Sequence, residues 1–447
     1  MKKERKILVV IGGGAAGFFC AVNAAGMNPE LKVVIVEKSN KLLSKVRVSG
    51  GGRCNVTHAC FEISSLVKKY PRGTSFLKKT FHHFNANHCV QWFQERGVEL
   101  KTEADGRMFS ITDTSQTIID CLLREANKYA VEVLMNSEVK VIASQQESKS
   151  NTSTNTQEYL SDIPHSEIEA RSENTSSFLL ELGNGEQLRA DYVCVACGGY
   201  PKSSMFEWLT RLGHSIELPV PSLFTFNIPD NPIIQLMGVA VEKAQIKVIG
   251  SKLSSDGPLL ITHWGMSGPA ILKLSAWGAR EFADQNYHFT ILVNWLPAYT
   301  EQALRNEWQD IRDRLAAQKI GNRNPFSLPN RLWSHLLAES GVNETIRWAD
   351  LPGKEQNRLM KNLVANEFVV NGKTTFKEEF VTCGGIKLGE VNASTMESKL
   401  VPNLYFAGEI MDVDGITGGF NFQHAWTSGW IAARSVGELN PAVINKP

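Results

Sequence analysis

The stretch that decides the fold runs Lys6-Ile-Leu-Val-Val-Ile-Gly-Gly-Gly-Ala-Ala-Gly17 and continues to Leu31-Lys-Val-Val-Ile-Val-Glu37. Both apolar runs are rich in β-branched residues, which is typical of strands that are buried on both faces. An alanine-rich helix is predicted between them, over Phe18–Met27. A strand, a glycine turn, a helix and a second strand in this order predict a βαβ unit and a parallel sheet.

The glycine turn has the spacing G-x-G-x-x-G, the dinucleotide-binding fingerprint when it follows a strand and begins a helix. Gly12 permits the tight turn, Gly14 lets the backbone approach a pyrophosphate, and Gly17 lets the helix pack closely on the strand. Glu37 ends the next strand twenty residues after Gly17, where a carboxylate can accept hydrogen bonds from both ribose hydroxyls. The alternative is a glycine-rich turn without a ligand, and the position of Glu37 favours the nucleotide.

FAD and NAD share this fingerprint, so features near the other end of the chain must separate them. Leu404-Tyr-Phe-Ala-Gly-Glu409 is a short apolar strand that ends in Gly and an acid, as in FAD proteins of the glutathione reductase type. Gly418-Gly419 precedes a helix with an apolar face, and the N-terminal dipole of this helix would stabilise negative charge on a reduced flavin. An ordinary strand end and simple helix packing are the alternatives. We expect tightly bound FAD.

Composition and charge narrow the class of protein. The chain has 447 residues and a formal net charge of +1, which predicts no nucleic-acid partner, although a net charge does not exclude a local basic patch. Eight cysteines are too few for a disulfide scaffold, so we expect reduced thiols and a cytoplasmic location. Residues 1–21 resemble a secretory signal, but three consecutive glycines argue against it. No other stretch approaches the length of a membrane span.

The βαβ rhythm stops after residue 200 and returns near the C-terminus. The sequence therefore predicts an α/β fold with a discontinuous FAD-binding Rossmann domain, at 1–200 and 376–447, interrupted by an inserted substrate or cap region at 201–375. This insert begins β-rich and has a helical part at about 300–367. Residues 145–177 are polar and acidic, which predicts a solvated loop between two strands.

Three blocks of the chain resemble one family of FAD flavoproteins. They are Ser49-Gly-Gly-Gly-Arg-Cys-Asn55, Thr262-His-Trp-Gly-Met-Ser-Gly-Pro269 and the segment from Thr395 through Phe406-Ala-Gly-Glu to Gly415-Ile-Thr-Gly-Gly-Phe-Asn421. The family includes aminoacetone-oxidase-like proteins and BaiN-type bile-acid reductases. The resemblance spans nearly the whole chain apart from the polar loop, and it implies FAD and a β-rich insert with a small helical domain. Departures from the family pattern are His58, Cys197 and the long loop.

The candidate site residues follow from these motifs and from the resemblance. Those expected to bind the cofactor are Gly12, Gly14, Ala16, Gly17, Glu37, Lys38, Lys45, Ser49, Gly50, Gly51, Arg53, Cys54, Asn55, Val139, Cys197, Gly198, Gly408, Glu409, Gly418, Gly419, Phe420 and Asn421. His263 is the candidate acid or base, with hydrogen bonding inside its loop as the alternative. Arg53 is expected at a phosphate or an anionic substrate, with a salt bridge as the alternative.

Other groupings carry less weight. Cys194 and Cys197 have CxxC spacing but lie in an apolar strand, where residues three apart point to opposite faces. Cys54 and Cys60 stand where glutathione-reductase-like enzymes carry a disulfide, but the spacing differs by one residue. His424 could touch the flavin helix, and no metal site is expected.

The leading hypothesis is an FAD-dependent oxidoreductase that passes hydride between flavin N5 and a small organic substrate. NAD(P)H is a candidate electron donor. It would bind only transiently, because residues 201–375 contain no second dinucleotide fingerprint. An amine or aminoketone oxidase that uses O₂ is the first alternative. A flavin-containing RNA-binding or scaffold protein is the second. The sequence does not indicate an oligomeric state.

Overall fold

The computed structural model describes residues 5–145, 177–375 and 381–438. The strands are β1 Ile7–Ile11, β2 Lys32–Val36, β3 Thr57–His58, β4 Leu100–Thr102, β5 Arg107–Ser110, β6 Glu132–Leu134, β7 Val139–Gln145, β8 Ser177–Leu182, β9 Gln187–Ala190, β10 Tyr192–Val195, β11 Ile216–Ser222, β12 Thr225–Asn227, β13 Ala240–Val248, β14 Ser254–Ile261, β15 Gly265–Ser267, β16 His288–Asn294, β17 Asn366–Asn371, β18 Lys373–Thr374, β19 Val381–Ile386 and β20 Leu404–Phe406. The α-helices are α1 Ala15–Met27, α2 Ser44–Gly52, α3 Ile63–Leu66, α4 Thr74–Phe81, α5 Ala86–Gln94, α6 Gln116–Lys128, α7 Glu207–Thr210, α8 Pro269–Trp277, α9 Ala279–Asp284, α10 Glu301–Leu315, α11 Asn330–Glu339, α12 Gly353–Val364 and α13 Phe420–Glu438.

A five-stranded parallel sheet forms the centre of the first domain, in the order β20-β10-β1-β2-β6. Ile11 lies opposite Val36 on one side and Val195 on the other. The central strands are almost fully buried because their β-branched side chains share one core with α1 and with the antiparallel β7-β8-β9 sheet. This confirms the predicted βαβ unit and the parallel sheet. The strand near the C-terminus joins the sheet made by the N-terminal half of the chain, so this domain is discontinuous in sequence.

The packing of α1 against α13 brings the two ends of the chain together. A Cβ on Gly429 would lie 2.7 Å from the carbonyl oxygen of Ala16, so only glycine permits this approach of the helices. Trp426 is buried beneath and donates through Nε1 to the Val56 carbonyl at 2.9 Å. The glycine turn at 12–14 and the glycines that precede α13 consequently face the same region of the molecule.

The inserted region builds a second core from strands and helices. Seven mainly antiparallel strands follow the order β17-β16-β13-β14-β15-β12-β18, and α10, α11 and α12 pack beside them around Trp308, Trp333 and Trp348. The sequence predicts helices over Thr300–Lys319, Leu328–Ser340 and Lys354–Glu367. Helices α10, α11 and α12 match them and are shorter by one to four residues at most ends. The predicted α/β class with a Rossmann-type domain, a β-rich part and a helical part is confirmed.

The sequence predicts a helix over Asn85–Arg96, with Asn85 as its cap and Gly97 as its end, and the structure confirms both signals. Asn85 caps α5 by accepting hydrogen bonds from the amides of Asn87 and His88, and the Asn85 amide donates in turn to His88 Nδ1 at 3.1 Å. Gly97 follows this helix with a φ of 75°. None of the helices in the described ranges has the length and apolar content needed to cross a membrane.

The polar loop predicted at 145–177 has its ends in the structure, while 146–176 lie outside the described residues. Strands β7 and β8 pair antiparallel, with Gln145 opposite Ser177. This register brings the two ends of the loop together as a hairpin would.

Shortening this loop is the first test of its role. Replacing Gln145–Ser177 by a short Gly-containing turn should leave FAD content and flavin reduction rates nearly unchanged, because loop closure changes by only about 0.6 kcal/mol per doubling of length. Absorbance of the purified protein and anaerobic stopped-flow reduction measure both quantities. A shortened variant that loses FAD or is reduced markedly more slowly would show that the loop is functional.

Candidate functional site

A cleft of about 740 Å³ opens at the carboxyl ends of the parallel strands, the edge at which open α/β sheets bind ligands. It is lined by segments from both ends of the chain and from the insert. The predicted cofactor residues that line it are Gly12, Gly14, Ala16, Glu37, Lys38, Lys45, Ser49, Gly50, Gly51, Asn55, Cys197, Gly198, Gly408, Glu409, Gly418, Gly419 and Asn421.

The glycines of the fingerprint differ in what surrounds them. A Cβ on Gly12, whose φ is +114°, would lie 2.5 Å from the carbonyl oxygen of Ala196. A Cβ on Gly17 would lie 1.9 Å from the carbonyl oxygen of Gly12, whereas a Cβ on Gly14 would meet no atom within 4 Å. Gly12 and Gly17 are therefore required by the turn itself, while Gly14 leaves space that belongs to the cleft.

Glu37 fixes the shape of this turn. Its Oε2 accepts a hydrogen bond from the Gly13 amide at 2.8 Å, and its Oε1 accepts one from the Ser39 amide at 2.9 Å. Each carboxylate oxygen keeps a further lone pair, and Glu37 lies on the wall of the cleft. The side chain can therefore hold the turn and accept hydrogen bonds from a ribose at the same time.

Replacing Glu37 by Ala should weaken FAD retention while leaving the rest of the fold largely intact. Each charge-assisted hydrogen bond lost is worth about 1.5–3 kcal/mol. The exposed Glu30 between α1 and β2 offers a control with the same change of charge. Recovery of flavin fluorescence in a dilution series measures retention in both variants. Equal FAD affinity in Glu37→Ala and Glu30→Ala would refute the ribose assignment.

The second glycine loop packs against the loop before α13. Gly50, Gly51 and Gly52 all have positive φ values, and a Cβ on Gly50 would press on the Phe109 ring at 2.8 Å. With its amide oriented to satisfy both neighbours, Asn55 accepts from the Gly419 amide and donates to the Thr57 carbonyl, each at 2.9 Å. Two glycine-rich segments that are far apart in sequence thus form one wall.

The C-terminal residues predicted for the cofactor also organise the site. Glu409 pairs with Lys45 at 2.6 Å and accepts a hydrogen bond from the Thr382 amide at 2.8 Å. The side chain of Asn421 accepts from the Gly415 amide at 2.8 Å and donates to the Gly415 carbonyl at 3.0 Å. Asn421 therefore closes the 415–421 loop, which brings Gly418 and Gly419 to the cleft at the start of α13.

The remaining predicted residues lie outside the lining of the cleft. Gly17 packs inside the turn, Cys54 is buried, and Val139 begins β7 opposite Leu182. Phe420 stacks on His58 with ring centroids 4.7 Å apart.

Arg53 and His263, predicted to contact an anion and to act as an acid or base respectively, also lie outside the lining of the cleft. Arg53 forms an ion pair with Glu103 at 2.6 Å and lies over the Phe109 ring, which is the salt bridge considered as its alternative. His263 is exposed in the turn between β14 and β15, next to the Trp264 ring. Its acid–base role stays a prediction.

Sequence reasoning missed the wall that the insert contributes. Leu223, Thr225, Ser267 and Thr374 of the insert line the cleft opposite the nucleotide motifs, together with Val381 at the start of β19. The Thr225 hydroxyl donates to the Ser267 hydroxyl at 3.0 Å. Only Ser267 belongs to one of the blocks that resemble the family, Thr262–Pro269, and the pairing of β12 with β15 and β18 is what brings Thr225, Ser267 and Thr374 together.

His424 also lines the cleft, and it is only 2% exposed. Its Nε2 lies 3.2 Å from the Gly408 carbonyl oxygen, while its Nδ1 has no hydrogen-bond partner within the described chain. Burial lowers the pKa of His424 to about 4, so the imidazole is neutral at neutral pH. The sequence indicated only that this residue could touch the helix at the flavin.

A buried ionic cluster underlies the 411–419 loop. Arg72 donates through Nε and Nη2 to both carboxylate oxygens of Asp414, and the Ser222 hydroxyl donates to Asp414 Oδ2 at 2.6 Å. Burial raises the pKa of the Asp414 carboxyl, and the Arg72 charge and the two hydrogen-bond donors oppose that rise. The cluster ties the first domain, the insert and the C-terminal loop together.

The cysteines form no disulfide among the described residues. All eight are free thiols. Burial raises the pKa of Cys54 to about 12 and that of Cys197 to about 11, so neither is a thiolate at neutral pH. Among the described residues, no group of three or more His, Cys, Asp or Glu side chains is arranged to hold a metal.

Comparison with known proteins gives two family models of the same name. One, described as the HI0933-like protein Rossmann domain, matches residues 6–164, and the other, described as the HI0933-like protein barrel and H2TH domain, matches residues 220–381.

This chain is similar over nearly its whole length to three known proteins. A ribosomal RNA dihydrouridine synthase of Escherichia coli is 28% identical, covering 97% of this chain and 98% of that protein. A 3-dehydro-bile acid delta(4,6)-reductase of Clostridium scindens is 23% identical, covering 96% and 98%. Among solved structures, the 3-ketosteroid delta1-dehydrogenase of Sterolibacterium denitrificans is 11% identical with a TM-score of 0.48, covering 97% and 99%.

Proposed function

We propose that this chain, which belongs to the HI0933-like family, holds FAD in the cleft and reduces a carbon–carbon double bond conjugated with a carbonyl group. One observation carries the cofactor assignment. The fingerprint turn at Gly12–Gly14 and the Gly418–Gly419 loop, which lie near opposite ends of the chain, line one cleft. A long dinucleotide needs groups from two such distant segments.

The residues of the cleft fit FAD. The volume lies within the range of about 300–1,000 Å³ that is usual for cofactor and ligand pockets. Positions Gly14 and Gly51 face open space, where a Cβ would meet no atom within 4 Å. Glu37 keeps lone pairs for ribose hydroxyls, and the N-terminal ends of α1 and α13 favour negative charge. His424 Nδ1 is a buried acceptor that a ligand hydroxyl could satisfy.

FAD supplies hydride transfer when it is bound, and the residues of the chain then bind and orient the substrate. Thr225 donates its hydroxyl proton to Ser267, so the Ser267 hydroxyl keeps its own proton to donate on the wall opposite the nucleotide motifs. A hydrogen bond from such a donor to the substrate carbonyl would polarise the conjugated double bond. The apolar side chains of Leu223 and Val381 beside them would keep water away from the reacting carbon.

The proposed reaction rests on what the two named relatives share. In uridine the C5–C6 double bond is conjugated with the C4 carbonyl, and in dihydrouridine this bond is saturated. The double bonds of a 3-dehydro delta(4,6) bile acid are conjugated with its 3-oxo group. Both names therefore describe reduction of an enone-like system. NAD(P)H is the proposed electron donor, and it would bind transiently.

Cofactor release and anaerobic reduction test the proposal. Heat-denatured protein should release FAD, and a released flavin that lacks adenylate would contradict the cofactor assignment. NADH or NADPH should reduce the bound flavin without oxygen, and a 3-oxo-Δ⁴ steroid or uridine-containing RNA should then reoxidise it. Peroxide formation with an amine, without reduction by either nicotinamide, would select the oxidase alternative. A flavin that neither class of substrate reoxidises would favour the RNA-binding or scaffold alternative.

A further inference from the structure

We propose that a basic surface at the rim of the cleft, formed by Lys68, Lys69, Lys78 and Lys79, binds the phosphate backbone of an RNA whose base enters the cleft. The proposal rests on the reaction proposed above and names RNA as the class of substrate. It gives a function to four lysines that neither the nucleotide motifs nor the ionic cluster uses.

The basic surface stands out from the charge of the chain as a whole. Residues 63–83 contain Lys68, Lys69, Arg72, Lys78 and Lys79 and no Asp or Glu, whereas the full chain is nearly neutral. Arg72 is neutralised by Asp414. The four lysines, by contrast, form no ion pair within 4 Å among the described residues. The surface therefore keeps its positive charge.

Backbone contacts place this surface at the cleft. The Ile416 amide donates to the Lys69 carbonyl at 3.0 Å, and Ile416 lines the cleft. A Cβ on Gly73 would lie 2.9 Å from Val413, which also lines the cleft. Helix α4 begins directly after Gly73. At a rise of 1.5 Å per residue, Lys78 and Lys79 follow about 8–9 Å further along its axis.

The packing of α4 turns its lysines outward. Phe76, Leu77 and Phe81 are buried on its inner face, while Lys78 and Lys79 are exposed. Lys68 is exposed as well, and Lys69 is half-buried. One pair of lysines thus lies beside Ile416 and the other follows along α4 beyond Gly73, an extended arrangement that complements a chain of phosphates better than a single small anion.

The way in which enzymes reach a nucleobase explains why cations should lie at the rim of the cleft. An enzyme that acts on a nucleobase must take the base out of its stack, so the flanking phosphates come to lie at the mouth of the pocket. Phosphate contacts position the nucleic acid without reading its sequence. A steroid substrate would present no row of phosphates and would need no such surface.

Salt-dependent binding of a fluorescent single-stranded oligouridylate to the FAD-loaded full chain tests the proposal. Lys78→Gln with Lys79→Gln should weaken binding about tenfold and reduce the slope of log K against log salt by about 1.4, since each phosphate contact on a single strand contributes about 0.7. Lys243→Gln with Lys247→Gln, two exposed lysines of β13, is the control with the same charge change and should change neither quantity.

Several results would overturn the proposal. Absence of oligouridylate binding, equal losses in both double variants, or preferential binding to phosphatidylglycerol vesicles would each do so. The FAD content of every variant is measured first, so a folding defect is recognised directly, and Lys68→Gln with Lys69→Gln provides a second variant. Reoxidation of the reduced flavin by a 3-oxo-Δ⁴ steroid is measured separately. Failure of the proposed chemistry is therefore distinguishable from failure of RNA binding.

Discussion

Replacing Arg72 by Met should lower the free energy of unfolding by about 3–5 kcal/mol, because it leaves a buried carboxylate without its partner. Asp414 has 0% side-chain exposure, and Arg72 has only 14%. Both carboxylate oxygens depend on the guanidinium, and the Ser222 hydroxyl alone cannot neutralise the charge. The 411–419 loop, which carries Val413, Ile416 and Gly418 into the cleft, should lose its support, and FAD should dissociate more readily.

The chain provides a matched control and a rescue for this variant. Arg280 pairs with Asp412 at 3.2 Å but is 37% exposed, so Arg280→Met should cost less, about 0–1 kcal/mol. Adding Asp414→Asn to Arg72→Met removes the buried charge and should recover most of the loss. Urea unfolding measures all three proteins. An Arg72→Met variant as stable as Arg280→Met would show that the cluster contributes little.

The pH dependence of the Arg72→Met variant follows from the same burial. Burial raises the pKa of the Asp414 carboxyl, and without Arg72 that rise is no longer opposed. A carboxyl whose folded pKa exceeds its unfolded value of about 3.9 penalises the folded state increasingly as pH rises through that range. The stability difference between the variant and the parent should therefore shrink as pH falls towards 4.

Substitution of Gly17 by Ala should abolish folding or cost more than about 3 kcal/mol, which is beyond ordinary overpacking. The added methyl group would lie 1.9 Å from the Gly12 carbonyl oxygen and 3.3 Å from Val10 Cγ1. The first of these atoms belongs to the backbone of the tight turn, which cannot yield without displacing β1 or α1. The expected result is insoluble protein, or soluble protein that lacks flavin and melts at a markedly lower temperature.

Gly14→Ala is the matched partner of this prediction. Its φ of −94° is open to any residue, and no atom lies within 4 Å of the added methyl. The protein without flavin should be as stable as the parent, or more stable by up to about 1 kcal/mol. FAD should nevertheless bind more weakly, because the methyl group occupies space that the pyrophosphate is proposed to use. Equal FAD affinity in a dilution series would refute the assigned approach of pyrophosphate to this turn.

The elements that sequence predicts correctly depend on near neighbours. The residue types from Lys6 to Glu37 indicate a strand, a glycine turn, a helix and a second strand. Asn85 caps α5 through hydrogen bonds to residues no more than three positions away. Hydrophobic periodicity and helix caps depend on residues within one or two helical turns of each other, so they can be recognised in the sequence alone. The same holds for the glycines that only a tight turn requires.

The site itself depends on residues that only folding brings together. Asp414 meets Arg72 and Ser222 across 342 and 192 residues, and the Thr225–Ser267 wall comes from strand pairing inside the insert. Arg53, predicted at a phosphate, pairs with Glu103, which the β4–β5 hairpin places beside it. The net charge of +1 gives no sign of the basic surface, because a sum over the whole chain does not record where the charges lie.

The sequence by itself therefore determined the α/β architecture, the nucleotide fingerprint and most residues of one wall of the cleft. The tertiary structure alone decided which charges are buried and paired, which glycines face open space, and which side chains of the insert complete the site. The physical reason is that local conformation is set by neighbouring residues, whereas burial, pKa and ion pairing are set by whatever the fold packs against a side chain.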